Sequence, residues 1–184
     1  MIEVVFRGRG GQGAYVASKL LAVAFHLEGK YIQSFPQFSG ERRGAPVAAF
    51  LRADNREIAL RCNIYTADRL VVMDETLSAT WPLTQGIKGD GLILLNTSKA
   101  VDHVKLDAPY NLACVDAGQI AVEEGLGSLS QPIINTAILG AYARATQEVS
   151  LESILLAIDE GVPQKTAANK EAAKKAYDQV KLRH

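Results

Sequence analysis

Cysteine is scarce, since the 184 residues include only Cys62 and Cys114. Neither belongs to a CxxC pair or has a Cys or His at metal-ligand spacing, so no iron–sulfur cluster or zinc site can be built from this chain alone. Two reduced, mostly buried thiols are expected. Histidine is nearly as rare: His26, His103 and His184 lack a Ser, Cys or carboxylate at a spacing that suggests a nucleophile and its base. Long apolar runs are missing too, as 20–25 and 92–95 fall far short of the roughly 20 residues of a membrane span. Residues 1–6 read as a strand, with no basic n-region, apolar h-region or small-residue cleavage site, which places the chain in the cytoplasm. Net charge is also absent, with 20 Lys+Arg against 20 Asp+Glu.

That balance is uneven along the chain. Residues 1–60 carry 8 basic and 5 acidic side chains, 61–164 carry 6 and 13, and 165–184 carry 6 and 2. Such a dipolar molecule suits a complementary surface or an anionic ligand better than tracking along nucleic acid. A 48% hydrophobic content fits one soluble globular domain over 1–184. At this size roughly 70% of the unfolded surface is hidden, so no disulfide or structural metal is needed for stability.

Strand and helix signals alternate. Residues 2–7 form an apolar run bounded by glycines. Residues 14–28 then show helical spacing through Val16, Leu20, Val23, Ala24 and Leu27 and stop at Gly29, a natural C′ residue. A second strand over 31–35 leads into a long loop closed by Pro46. The Asp54-Asn55 turn predicts a hairpin between 47–52 and 57–60. The runs 70–73, 92–95 and 112–115 read as strands buried on both faces. They end at Asp74, Asn96 and Asp116, residues that either line the crevice of an open α/β sheet or make Asx turns. Pro132 can start a helix in which Gly140 permits close approach of a neighbour. Ser150 is a candidate N-cap for a helix over 151–158. The tail, 165–184, holds a basic amphipathic helix over 169–181 with Ala173, Tyr177 and Val180 inward. The expectation is an α/β fold: one three-layer α/β/α domain with a mostly parallel, partly mixed sheet and a Rossmann-like, glycine-rich first turn.

Two loops hold candidate chemistry. Gly8-Arg9-Gly10-Gly11-Gln12-Gly13 satisfies GxGxxG directly after a strand and before a helix, where backbone amides and a helix N-terminus can receive an anion. Close strand-on-helix packing without a ligand is the plain alternative. Ordinary NAD binding would also want an acid at the end of the second strand, and that place reads Ile32-Gln33-Ser34. In the second loop, Ser39-Gly40-Glu41-Arg42-Arg43-Gly44-Ala45-Pro46, Arg42 and Arg43 offer two bidentate donors for carboxylate or phosphate. A partner subunit, a ligand phosphate or a local ion pair with Glu41 could each use them.

Taken together, the glycine loop, Gln33-Ser34-Phe35-Pro36 and Ser39-Gly40-Glu41-Arg42-Arg43-Gly44-Ala45-Pro46-Val47 closely resemble the γ subunit of the 2-oxoacid:ferredoxin oxidoreductases. The resemblance continues through Ala67-Asp68-Arg69-Leu70-Val71-Val72-Met73-Asp74, Asn96-Thr97-Ser98, Pro132-Ile133-Ile134-Asn135-Thr136-Ala137 and Leu151-Glu152-Ser153-Ile154. It implies a complex that oxidatively decarboxylates a 2-oxoacid to acyl-CoA and CO2 and reduces ferredoxin or flavodoxin. Thiamine diphosphate, Mg and [4Fe-4S] clusters would sit on the α, β and δ subunits. The γ chain would hold no cofactor and be inactive alone, docking to its partners and framing the approach of CoA. Gly8, Gly10, Gly11, Gln12, Gly13, Arg42 and Arg43 are then the positions for CoA phosphates or subunit contact. The Glu41-to-Val47 loop is more similar to pyruvate and branched-chain members than to 2-oxoglutarate members, which favours pyruvate. Cys62-Asn63 departs from the Ser-Pro common at that place. Two other classes stay open: a free-standing nucleotide-binding oxidoreductase, supported only by GxGxxG, and a purely structural assembly module.

Overall fold

Apolar residues crowd both faces of the central strands, and the fold follows from covering each face differently. The computed structural model describes residues 1–37, 44–108 and 110–183. In chain order the elements are β1 (Ile2–Arg9), α1 (Ala14–Leu27), β2 (Tyr31–Pro36), β3 (Pro46–Asp54), β4 (Ala67–Val72), β5 (Ile87–Asn96) and β6 (Asn111–Val115). Then come α2 (Ala117–Glu123), β7 (Gly127–Ser128), β8 (Gln131–Pro132), α3 (Ala137–Thr146), α4 (Leu151–Gly161), α5 (Thr166–Gln179) and β9 (Lys181–Arg183). Short 3-10 helices span Glu75–Ala79 and Val101–His103.

Seven strands form one mixed sheet in the order β2-β3-β1-β4-β5-β6-β9. The four strands β1, β4, β5 and β6 are mutually parallel, while β3, β2 and β9 add antiparallel edges. The α/β fold with a mixed sheet is the expected one, but the α/β/α layering and the mostly parallel sheet are not: all five α-helices lie on one face, and parallel and antiparallel pairings number three each. Val4, Phe6, Val71, Met73 and Leu94 face a core shared with all five α-helices, whereas Val5, Val72, Ile93 and Leu95 face the opposite side. There the third layer is irregular chain with the two 3-10 helices, using Ile64, Trp81, Leu83 and Val104 as its apolar cover. Full burial of Leu21 and Phe25 on α1 contributes roughly 1.5–3 kcal/mol each.

Helix ends follow their sequence signals. Gly29, with φ +80°, closes α1 in a Schellman turn: its N–H donates to His26 O at 2.9 Å, and Lys30 N–H donates to Phe25 O at 3.1 Å. Ser150 caps α4 by accepting from Ser153 N at 3.1 Å. Gly140 lets α3 lie directly on the backbone of α5, since a Cβ there would stand 1.8 Å from Ala173 O.

Four further expectations are corrected. No strand forms over 57–60, because β3 is already flanked by β1 and β2 along its length, and the hairpin is β2–β3 instead. Pro132 does not start α3; it pairs in the β7–β8 ribbon, and the helix begins at Ala137. The tail helix ends at Gln179, after which Lys181–Arg183 turns back as an edge strand on β6. Cys62 is exposed, and only Cys114 is buried. No helix among the described residues is long and apolar enough to cross a membrane.

Candidate functional site

The carboxyl ends of β1, β4, β5 and β6 lie side by side, and β1 is the point at which the chain changes direction across the sheet. From β1 it passes through α1 to β2 on one side, and later to β4, β5 and β6 on the other. Such a switch point is where open α/β sheets place a crevice. Gly8 and Arg9 end β1, Gly11 takes φ +98°, and Gly13 takes φ +80° as the N-cap of α1 without a side-chain cap bond. Only glycine enters that region without strain. Gly13 also has a neighbour: a Cβ there would approach Asn135 Nδ2 to 3.1 Å.

The loop is braced from below. Gln12 Oε1 accepts from Arg9 N at 2.7 Å, while Gln12 Nε2 donates to Asp74 Oδ2 at 3.1 Å. Arg9 Nε donates to the same Oδ2 at 3.0 Å, and its two terminal nitrogens reach Gly44 O and Thr76 Oγ1. Asp74 Oδ1 in turn accepts from Thr76 N at 3.0 Å and Thr76 Oγ1 at 2.6 Å, capping the first 3-10 helix. Partial burial pushes the Asp74 carboxyl up, but the Thr76 and Gln12 hydrogen bonds and the Arg9 charge outweigh it and hold it below the usual carboxylate range. Gln12 therefore spends its side chain on the loop's own shape. The backbone N–H groups of Gly11 and Gly13 remain as the surface that can meet an anion.

The two sequence motifs meet here. Gly10 N donates to Ala45 O at 2.9 Å and Gly44 N donates to Gly10 O at 3.1 Å, so the arginine loop re-enters the fold against the glycine loop. Arg42 and Arg43 lie outside the described residues. The other strand-end residues act as struts: Asn96 Nδ2 donates to Met73 O at 2.9 Å, its Oδ1 accepts from Gly118 N, and Asp116 caps α2 through Gln119 N. Sequence reasoning singled out neither Asn135 nor Arg9 as a site residue. Asn135 Oδ1 is buried with no hydrogen-bond partner among the described residues, directly beside the loop. The Arg9–Asp74 pair joins two strands far apart in sequence and has no local signal. Among the described residues no three His, Cys, Asp or Glu come together as a metal site.

Comparison with known proteins agrees with this architecture. The family described as pyruvate ferredoxin/flavodoxin oxidoreductase matches residues 3–179. The chain is 47% identical over 186 residues to the pyruvate/ketoisovalerate oxidoreductases common subunit gamma of Pyrococcus furiosus, covering 99% of this chain and 98% of the relative. Pyruvate synthase subunit PorC of Methanocaldococcus jannaschii is 44% identical over 181 residues, covering 98% and 97%. Among solved structures, the pyruvate oxidoreductase subunit PORC of Thermotoga maritima superposes with a TM-score of 0.81 at 38% identity, covering 100% of this chain and 98% of that one.

Proposed function

The chain belongs to the pyruvate ferredoxin/flavodoxin oxidoreductase family, and from that premise we propose that it is the γ subunit of a 2-oxoacid:ferredoxin oxidoreductase. The complex converts a 2-oxoacid, with pyruvate preferred, to acyl-CoA and CO2 and passes the electrons to ferredoxin or flavodoxin. Thiamine diphosphate with Mg, and the [4Fe-4S] clusters, supply the decarboxylation and the electron path from the α, β and δ subunits. This chain, one α/β domain working in the cytoplasm, offers two cysteines, one exposed and one buried, which do not suit a cluster.

The observation that carries the reading is the junction of the glycine and arginine loops, through Gly10, Gly44 and Ala45, at the switch point of the sheet. A stiff loop braced by Arg9, Gln12 and Asp74 presents backbone amides, and the segment holding Arg42 and Arg43 leaves from its rim. That end of the molecule docks to the catalytic subunits and frames the CoA phosphates.

Anaerobic co-purification of the tagged chain with its α, β and δ subunits, followed by CoA-dependent oxidation of several 2-oxoacids, tests this. Activity confined to the complex, with the lone chain inactive, is expected. Turnover and a bound nucleotide in the lone chain would refute it. Substituting Arg42 and Arg43 separates the roles: a raised KM for CoA assigns the loop to phosphates, and lost assembly with unchanged KM assigns it to docking.

A further inference from the structure

Among the described residues two arginines are buried, at 1% exposure for Arg52 and 7% for Arg7, and they are satisfied very differently. Arg52 pairs with Glu3 Oε1 at 2.9 Å, donates to Gln33 Oε1 and Cys62 O, and lies against the Phe35 ring. Arg7 donates to the carbonyls of Pro82 and Gln85 and stands 5.0 Å from the Trp81 ring centroid. Among the described residues no carboxylate pairs with it. A guanidinium has five N–H donors, and an uncompensated buried charge is costly. Burial alone pulls its pKa down, in line with that missing counter-charge.

Arg7 does not sit in a closed core. It lines a cavity of about 200 Å³ on the sheet face opposite the helices, with Gln37, Asn63, Tyr65, Trp81 and Gln85 around it. The side-chain amides of Gln37, Asn63 and Gln85 can donate to an oxygen-rich guest, while Tyr65 stands 78% exposed beside them. The volume is below the roughly 300–1,000 Å³ of cofactor pockets, so a nucleotide or CoA does not fit. A carboxylate on a small carbon stem does, and its two oxygens match a planar guanidinium.

We propose that this cavity is a carboxylate-binding site with Arg7 as its cation, filled either by a free small carboxylate or by an Asp or Glu side chain of a partner subunit. It is separate from the glycine-loop site, and only its partner-subunit form rests on the γ-subunit reading.

Trp81, the single tryptophan of the chain, is the built-in reporter. The full-length chain is titrated with sodium acetate against sodium chloride at equal ionic strength while Trp81 fluorescence is followed. A saturable change specific to acetate is expected, with half-saturation on the order of millimolar. Arg7→Leu should weaken it roughly tenfold or more, and Arg7→Lys by less. Repeating the titration on the complex, with 5-fluorotryptophan confined to this chain, distinguishes the sources: retained acetate binding identifies a free carboxylate, and occlusion identifies a partner's side chain. An acetate response no larger than chloride's in the wild-type chain overturns the proposal. So does acetate binding that appears only in Glu41→Gln, because the chain would then supply its own carboxylate.

Discussion

Replacing Asp74 by Asn keeps the shape of the brace and removes its charge. Two donors converge on each oxygen: Arg9 Nε and Gln12 Nε2 on Oδ2, Thr76 N and Oγ1 on Oδ1. An amide can offer only one oxygen, so one pair of donors must face an NH2. A hydrogen bond to a charged group contributes about 1.5–3 kcal/mol. The Arg9 side chain is 34% exposed against 16% for Asp74, so solvent screening takes part of that away. The expected cost is about 2 kcal/mol at neutral pH, or a Tm lower by roughly 4–8 °C for a domain of this size. Urea unfolding followed by circular dichroism gives the number. The pH dependence adds a second, independent constraint. A carboxyl held below its unfolded value stabilises the fold above the ordinary carboxylate range, and that stability is lost as pH falls through the depressed value. The gap between wild type and D74N should therefore be full at pH 7 and close in acid. A D74N chain within about 0.5 kcal/mol of wild type at pH 7, or a gap that persists in acid, would refute the brace.

Gly140→Ala should be among the most destabilising single changes, at about 3 kcal/mol or more, because its Cβ would overlap Ala173 O at 1.8 Å; denaturant midpoints check it, and near-wild-type stability would show that α3 and α5 can part easily. Glu28→Gln should cost about 0.5 kcal/mol at pH 7, because the exposed carboxylate is screened by solvent. Glu28 Oε1 accepts from Ser150 N and Ser153 Oγ at the start of α4. Those bonds and Lys30 outweigh the burial that pushes its pKa up, so the cost, read by thermal melts, should fade in acid. With iodoacetamide near pH 8 and mass spectrometry as the readout, Cys62 should label while the buried Cys114, pushed up to about 11 by its burial, stays intact until the chain unfolds.

The legible parts of the fold were those written locally. Gly29 after α1, Ser150 before α4 and the apolar runs of β4, β5 and β6 announce themselves within a few residues. The hairpin at Asp54-Asn55 failed because a turn signal says nothing about which strand edge is already occupied; β3 had both its edges taken. β9 was invisible because Lys181-Leu182-Arg183 is only three residues long and follows a helical pattern directly, with only an edge of β6 to cover. The glycine loop could be found from spacing, but not the Arg9–Asp74 contact that stiffens it. Nor could Arg7 be told apart from Arg52, since both look alike in sequence and only the fold assigns Glu3 to one of them.

The sheet is thickly covered on one face and thinly on the other, which divides the free energy of local opening unequally. Behind Phe6, Met73 and Leu94 stand five interlocked helices that must move together. In front of Ile93 and Leu95 lie two short 3-10 turns and irregular chain, which can open without melting a helix. Hydrogen exchange should therefore run faster in 74–86 and 97–108 than in α1, α3 and α5. One face of the sheet is thus stiff and the other yielding, around a core that stays the same.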